Sequence, residues 1–141
     1  MSLSMTNILI YAYDLIEPRK RMLCKQIVKD VFSGKEVGVV SGQILVELYN
    51  SLTRKLAVPA GSASKIVESF ILSNNWLKIN YNENTIKTAL RSSLAFKAPF
   101  LDTLIAETMK EPGLNTIITE NEKDFIKIPG IKVINPLGLK D

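Results

Sequence analysis

The sequence contains no histidine and a single cysteine, Cys24, and both facts restrict the chemistry open to the chain. Without histidine, imidazole-based acid–base catalysis, Ser-His-Asp triads and histidine-ligated metals are excluded within this chain. One cysteine can form neither an intrachain disulfide nor a cysteine-based zinc site. If the protein is an enzyme, carboxylates, hydroxyls or lysines must supply its reacting groups. A reducing, cytoplasmic location is the default expectation.

Long apolar runs and nucleotide-binding motifs are absent as well. No apolar run approaches the roughly 20 residues that a membrane-spanning helix needs, so we expect no membrane contact. The first residues lack the basic and apolar segments of a secretory signal. No Gly-x-Gly-x-x-Gly or Walker segment follows a predicted strand, which disfavours a nucleotide-binding Rossmann-type domain.

What the chain does contain is an ordinary globular composition, with 46% hydrophobic and 23% charged residues among 141. This length and balance predict one domain over residues 1–141 with a single core. Residues 1–4 are a candidate remnant of an expression vector. The net charge of +4 mildly favours a polyanionic partner.

Strand-like and helix-like segments alternate along the chain. The apolar run 8–13 is typical of a strand buried on both faces of a parallel sheet, and four more strands are predicted at 37–41, 76–80, 115–119 and 131–135. Helices are predicted at 18–33, 42–55, 62–73, 83–95 and 99–110. The alternation predicts an α/β fold, a three-layer α/β/α sandwich with a mostly parallel central sheet.

Three carboxylates interrupt apolar surroundings: Glu47, Asp102 and Asp124. Each also has an ordinary explanation, as a helix-boundary glutamate, a first-turn acid and a turn aspartate. Glu47 follows the second predicted strand, Asp124 follows the fourth, and Asp102 opens a helix. Because residues just beyond the carboxyl ends of parallel strands meet in one crevice, we expect these acids to converge.

Converging carboxylates repel each other, and a hard divalent cation removes that cost. Mg²⁺ or Mn²⁺ prefers oxygen ligands and is held through one or two carboxylates, waters and substrate phosphate. Such ions activate water for attack on a phosphodiester and need no histidine. The composition is therefore compatible with metal-dependent phosphodiester hydrolysis.

Four blocks of the sequence together resemble the PIN (PilT N-terminus) domain, and in particular the compact prokaryotic toxins of the VapC type. Each block is a weak motif alone, whereas their order and spacing over nearly the whole chain are fairly specific. The blocks are Thr6-Asn7-Ile-Leu-Ile-Tyr-Ala-Tyr-Asp14, Glu47 in its apolar helix, Phe100-Leu-Asp-Thr-Leu-Ile-Ala106, and Thr119-Glu-Asn-Glu-Lys-Asp-Phe125, the last followed by Ile134-Asn135-Pro136.

The resemblance implies a Rossmann-like sandwich that cuts RNA with Mg²⁺ or Mn²⁺ held by four acids. By position, Glu47, Asp102 and Asp124 fill the second, third and fourth acidic places, as catalytic residues and metal ligands. The supporting polar positions correspond to Asn7, Thr119 and Asn121. The family also implies a homodimer and a cognate antitoxin protein as partner.

Met5 stands where the family has its first catalytic aspartate, and three explanations compete. The protein is a degenerate member with weakened metal binding; or the start was assigned at this methionine and the true acid is lost; or Asp14 compensates. The last is least favoured, because an extended segment of nine residues spans roughly 30 Å and would place Asp14 at the opposite edge of the sheet.

Two functions remain in competition from the sequence. One is a metal-dependent endoribonuclease of the toxin class, impaired by Met5. The other is a catalytically degenerate PIN fold that acts as an RNA-binding or protein-interaction module. Candidate phosphate contacts, which equally fit solvated surface charges, are Lys20, Arg21, Lys25, Arg54, Lys97 and Lys123.

Overall fold

Five short strands form one sheet in which every pair of neighbours runs parallel, as seen in a computed structural model that describes residues 2–5 and 7–138, with side chains from Asn7 onward. The order across the sheet is β3-β2-β1-β4-β5, so β1 is central and pairs with both β2 and β4. The strands are β1 (Ser2–Met5), β2 (Val37–Ser41), β3 (Trp76–Ile79), β4 (Thr116–Ile118) and β5 (Lys132–Ile134).

Helices connect the strands, as parallel pairing requires. They are α1 (Asn7–Tyr11), α2 (Pro18–Phe32), α3 (Gly42–Arg54), α4 (Ala60–Leu72), α5 (Glu83–Phe96), α6 (Phe100–Lys110) and α7 (Glu122–Phe125). The predicted α/β class with a parallel sheet is confirmed. None of the helices in these described ranges has the length and apolar character needed to cross a bilayer.

The first predicted strand was wrong. Residues 8–13 do not extend the sheet, because α1 takes up most of this run, and the central strand is the preceding Ser2–Met5. Burial follows helical spacing: Ile8, Leu9 and Ala12 are buried, whereas a strand buried on both faces would bury the whole run. A continuous apolar run fits a buried helix as well as a buried strand, and the polar serines of β1 hid the true strand.

The other elements lie close to their predicted positions. Asn82 caps α5 with a reciprocal capping box to Thr85, in which each side chain bonds the other residue's backbone N–H. Helix α4 begins at Ala60, two residues earlier than expected, because Pro59 precedes it as the N-cap. The short helix α7 was not predicted, since its four residues give no periodic signal.

Three aromatic rings pack together at one end of β2 and β3. The Phe70 ring centroid lies 4.9 Å from that of Trp76 and 5.0 Å from that of Phe32. Gly38 of β2 allows this packing, since a Cβ built there would lie 2.6 Å from the Trp76 ring and 2.7 Å from Val31. The backbone of β2 therefore approaches the tryptophan as closely as only glycine permits.

We expect Gly38→Ala to lower the free energy of unfolding by about 1–3 kcal/mol, because the added methyl group must displace Trp76 or Val31. Gly61→Ala is the matched control, since nothing lies within 4 Å of a Cβ at that helical position. Urea unfolding followed by tryptophan fluorescence compares them. Equal stability of the two variants would contradict the close packing.

Candidate functional site

Glu47 is positioned by the turn from β2 into α3. Ser41 ends the strand and caps the helix, with its Oγ accepting a hydrogen bond from Ile44 N at 3.1 Å. Gln43 Nε2 donates to Glu47 Oε2 at 3.1 Å and to the carbonyl oxygen of Leu101 at 3.2 Å. This one amide therefore connects the Glu47 carboxylate to the first turn of α6.

Asp102 lies in that first turn of α6, one residue after Leu101. The carboxylate is half-buried, and the next four residues of the helix, 103–106, are buried. Asn121 Nδ2 donates to Asp102 Oδ2 at 3.1 Å. Asp102 is thus held from the side of β4 by an amide rather than by a cation.

The loop after β4 is fixed by Asn7, the first residue of α1. Asn7 Oδ1 accepts hydrogen bonds from Glu120 N at 3.2 Å and from Thr119 Oγ1 at 3.4 Å. Thr119 is fully buried, and its Oγ1 accepts from Asn121 N at 3.0 Å. These bonds join the first residue of α1 to the loop that carries Asn121.

A cavity of about 160 Å³ lies between these elements, with four of the predicted residues in its wall. The polar lining is Asn7, Glu47, Asp102 and Asn121, and the apolar lining is Ile10, Ile44, Leu48, Ile105 and Phe125. Thr119 lies behind Asn7 and Asn121. The structure therefore brings residues from α1, α3, α6 and the β4–α7 loop to one place.

Asp124 lies on α7 at the margin of this group. It is not in the wall of the cavity, and its Oδ1 lies 3.7 Å from Lys127 Nζ. Its charge nevertheless contributes to the raised pKa of Asp102. Asp124 is thus near the other acids but turned partly toward a lysine.

The pKa of Asp102 is raised to about 6, first because burial disfavours the charged carboxylate and then because the charges of Asp124 and Glu47 are close. The hydrogen bond from Asn121 opposes the increase in this pKa. Within residues 7–138, neither Glu47 nor Asp102 forms an ion pair with lysine or arginine. Of the three acids, only Asp124 therefore has a described lysine nearby, and the charges of Glu47 and Asp102 are not neutralised by one.

These residues fit a hard divalent cation by their chemistry. Among residues 7–138, no group of three or more Asp, Glu, Cys or His side chains lies close enough to bind one ion jointly. Mg²⁺ needs only one or two carboxylates with water completing its shell. Glu47 and Asp102 face one cavity together with the amides of Asn7 and Asn121, which supplies such a set.

Met5 ends the central strand, where its backbone pairs with Ile118 of β4; its side chain and all of Thr6 lie outside the described residues. Asp14 follows α1, and its Oδ1 accepts from Ile16 N at 2.9 Å. The expectation that nine extended residues separate these positions was wrong, because α1 intervenes. Asp14 stabilises a turn, in agreement with the low preference for it as a substitute acid.

Sequence reasoning missed Gln43 and the cluster of Tyr11, Lys20 and Glu120. Tyr11 Oη donates to Glu120 Oε1 at 2.6 Å, and Lys20 Nζ lies 2.9 Å from Glu120 Oε2. Lys20, a candidate phosphate contact, is therefore paired with an acid. The position of Gln43, one helical turn before Glu47, is the signal that could have identified it.

We expect Asp102→Asn to raise the free energy of unfolding at pH 7.5 by about 1 kcal/mol. The raised pKa corresponds to a destabilisation of the folded state by about 3 kcal/mol if it is fully expressed. Partial exposure of the carboxylate lowers this value, and so does the ~0.3–1 kcal/mol that an anion gains in the first turn of a helix. A folded pKa above the unfolded one means that wild-type stability falls as pH rises from about 4 to 6.

The advantage of Asp102→Asn should therefore shrink below pH 6 and largely vanish near pH 4, which urea unfolding across this range measures. Glu68→Gln, which removes an exposed acid on α4, controls for the change in net charge. A pH-independent difference between Asp102→Asn and wild type would mean that the Asp102 carboxylate is not destabilised in the fold.

Three solved structures share this fold. VapBC2 from Rickettsia felis, solved with a fragment of promoter DNA, shares 18% identity and a TM-score of 0.66 over 96% of this chain and 98% of that chain. VapC20 from Mycobacterium tuberculosis, a Sarcin-Ricin loop cleaving toxin, shares 14% identity with a TM-score of 0.63, over 83% of this chain and 87% of that chain. VapBC from Salmonella typhimurium, solved with bound DNA, shares 22% identity with a TM-score of 0.61, over 95% of this chain and 98% of that chain.

No curated protein sequence matches the chain. The family profile of the PIN domain matches residues 6–131, which include all six residues singled out for the site. This protein belongs to the PIN domain family.

Proposed function

We propose that the chain is a metal-dependent endoribonuclease of the VapC toxin class, which hydrolyses RNA phosphodiesters with reduced activity because Met5 occupies the place of the first acid. The observation that carries the proposal is the cavity that Glu47 and Asp102 face together with the amides of Asn7 and Asn121. Burial and the nearby charges of Asp124 and Glu47 raise the pKa of Asp102 to about 6, and within residues 7–138 Asp102 forms no ion pair with lysine or arginine. A divalent ion is the natural counter-charge for such a group.

Glu47 and Asp102, which face one cavity, would hold Mg²⁺ or Mn²⁺, and Asp124 would add its negative charge from the margin of the site. Bound there, the ion would supply an activated water and stabilisation of the leaving oxygen of a phosphodiester. Gln43 keeps the Glu47 carboxylate in place, and Asn121 does the same for Asp102. Asn7 and Thr119 fix the loop from which Asn121 projects.

RNA, a cognate antitoxin and a second copy of the chain are the proposed partners. The structural neighbours from Rickettsia felis and Salmonella typhimurium are toxin–antitoxin complexes, which supports an antitoxin. Large apolar side chains are exposed on one face of α5, where Leu90 and Leu94 are 52% and 83% exposed and lie one helical turn apart. Such a surface favours a protein partner, and the homodimer is the arrangement we propose for it.

If Asp102 is a ligand, Mn²⁺ should raise the melting temperature of wild type more than that of Asp102→Asn, because an ion that binds the native state stabilises it. Thermal unfolding with increasing Mn²⁺ measures this. Glu68→Gln should respond like wild type. Equal shifts for wild type and Asp102→Asn would remove Asp102 from the ligand set.

Met5→Asp should increase both Mn²⁺ affinity and RNA cleavage, because it adds an anionic ligand for a hard cation at the end of the central strand. We expect the unaltered chain to cut RNA slowly or not at all. Single-stranded RNA is incubated with each protein with and without EDTA, and the Met5→Asn variant controls for polarity without charge. Full activity of the unaltered chain, or no effect of Met5→Asp, would show that position 5 is not the missing acid.

A degenerate PIN module that binds RNA or protein without cutting is the second candidate. One observation favours it: the residue at the end of β1 is a methionine. The two candidates differ in the Met5→Asp experiment. RNA binding by both proteins with cleavage by neither would support the module.

A further inference from the structure

A second cavity, of about 360 Å³, adjoins the acidic one and shares Glu47 with it. Its wall is formed by Gly42, Gln43, Val46, Glu47, Asn80 and Tyr81. Neither the proposed metal binding nor the proposed hydrolysis uses Asn80 or Tyr81. We name this space the side cavity.

The side cavity lies beyond the carboxyl ends of two neighbouring strands. Gly42 directly follows β2 and Asn80 directly follows β3, and the last residues of these strands, Ser41 and Ile79, are paired in register. In open parallel sheets, ligands bind in the crevice outside the carboxyl ends of the strands. The acidic cavity occupies the same edge, closer to β4.

The position of the Asn80 side chain in the side cavity depends on Gly42. A Cβ at position 42 would collide with Oδ1 of Asn80, so the Asn80 amide can lie against the start of α3 only because residue 42 is glycine. The φ of Gly42 is not one that demands glycine. The close approach of the amide is therefore what a side chain at position 42 would disturb.

Two amide groups around the side cavity lack hydrogen-bond partners within the described part of the chain: Oε1 of Gln43, which is buried, and the side-chain amide of Asn80, which is exposed. The Gln43 amide cannot simply be reversed, because its Nε2 already donates to a carboxylate and a carbonyl. Tyr81 is 42% exposed, so its ring is accessible from solvent.

We infer that the side cavity binds a nucleobase of single-stranded RNA, next to the phosphate that reaches the acidic cavity. The inference rests on the proposed function. The lining contains an exposed aromatic ring for stacking and amides that can bond the edge of a base, which are the groups proteins use for unpaired bases. Its one charged residue is Glu47, so the lining offers no lysine or arginine to pair with a phosphate.

The test is binding of a fluorescein-labelled eight-nucleotide single-stranded RNA in Ca²⁺, with the RNA checked for intact length on a gel. Tyr81→Ala should weaken binding on the order of tenfold, the size of effect that loss of one stacked base gives. Tyr81→Phe should bind like wild type. Tyr49→Ala is the matched control, because Tyr49 is an exposed aromatic of α3 outside the side cavity.

Two further measurements separate a base contact from a general loss of affinity. An abasic nucleotide should weaken binding to wild type when it stands at one particular position of the RNA and not at the others. The loss of affinity at that position should not add to the loss caused by Tyr81→Ala. The dependence of affinity on salt should be the same for Tyr81→Ala and wild type, since no phosphate contact is removed. Asn80→Ala should also weaken binding, and thermal unfolding verifies that each variant is folded.

The outcomes distinguish the inference from the function on which it rests. If wild type binds RNA but Tyr81→Ala and Asn80→Ala bind equally well, the side cavity holds no base and the nuclease proposal stands. If wild type binds no RNA in Ca²⁺ or Mn²⁺, the proposed function fails, and the base site fails with it. If the losses of affinity from the abasic nucleotide and from Tyr81→Ala are additive, that base does not contact Tyr81 and the inference is wrong.

Discussion

Parallel pairing of all five strands is the constraint on which the site depends, because it directs every strand toward the same edge of the sheet. The residues that follow β1, β2, β3 and β4 therefore meet although they are far apart in the sequence. Asn7 and Thr119, separated by 112 positions, are joined by a hydrogen bond for this reason. An antiparallel arrangement would have divided these residues between two edges.

Charge at this edge is balanced incompletely, and the imbalance differs from one acid to the next. Glu120 is neutralised by Lys20 and also bonded by Tyr11, and Asp124 lies near Lys127. Asp102 receives only an amide. The short loop after β4 therefore contains Glu120, whose charge Lys20 neutralises, and Asn121, whose amide orients Asp102 without neutralising it.

Much of the fold was predictable because local and tertiary signals agree. Asn82, with its capping box, and Pro99, ahead of α6, mark helix starts that the structure retains. The prediction for residues 8–13 was wrong because their apolar pattern fits both a helix and a strand. Only burial against α2 and α3 decides between the two. The strand Ser2–Met5 has a polar composition, and its place between two neighbours is a tertiary fact that its own residues do not encode.

Glu47 and Asp102 stand out in the sequence by their apolar settings, whereas their hydrogen-bond partners do not. Asp102 stands out among apolar neighbours in the sequence, but the donation from Asn121 depends on how the β4–α7 loop folds over α6. The same holds for Gln43, whose second acceptor, Leu101, lies 58 residues away. Hydrogen-bond partners of this kind follow from the packing of elements and leave no local signature.

The Gln43 amide has a mechanical consequence. Because a single planar group holds both the Glu47 carboxylate and the backbone carbonyl next to Asp102, the distance between the two acids is set by a rigid spacer rather than by two independent side chains. Helices α3 and α6 cannot slide along each other at this point without breaking the hydrogen bond from Gln43 Nε2 to the carbonyl oxygen of Leu101. Part of the rotational freedom that Glu47 would otherwise lose on meeting a ligand is thus already lost when the chain folds.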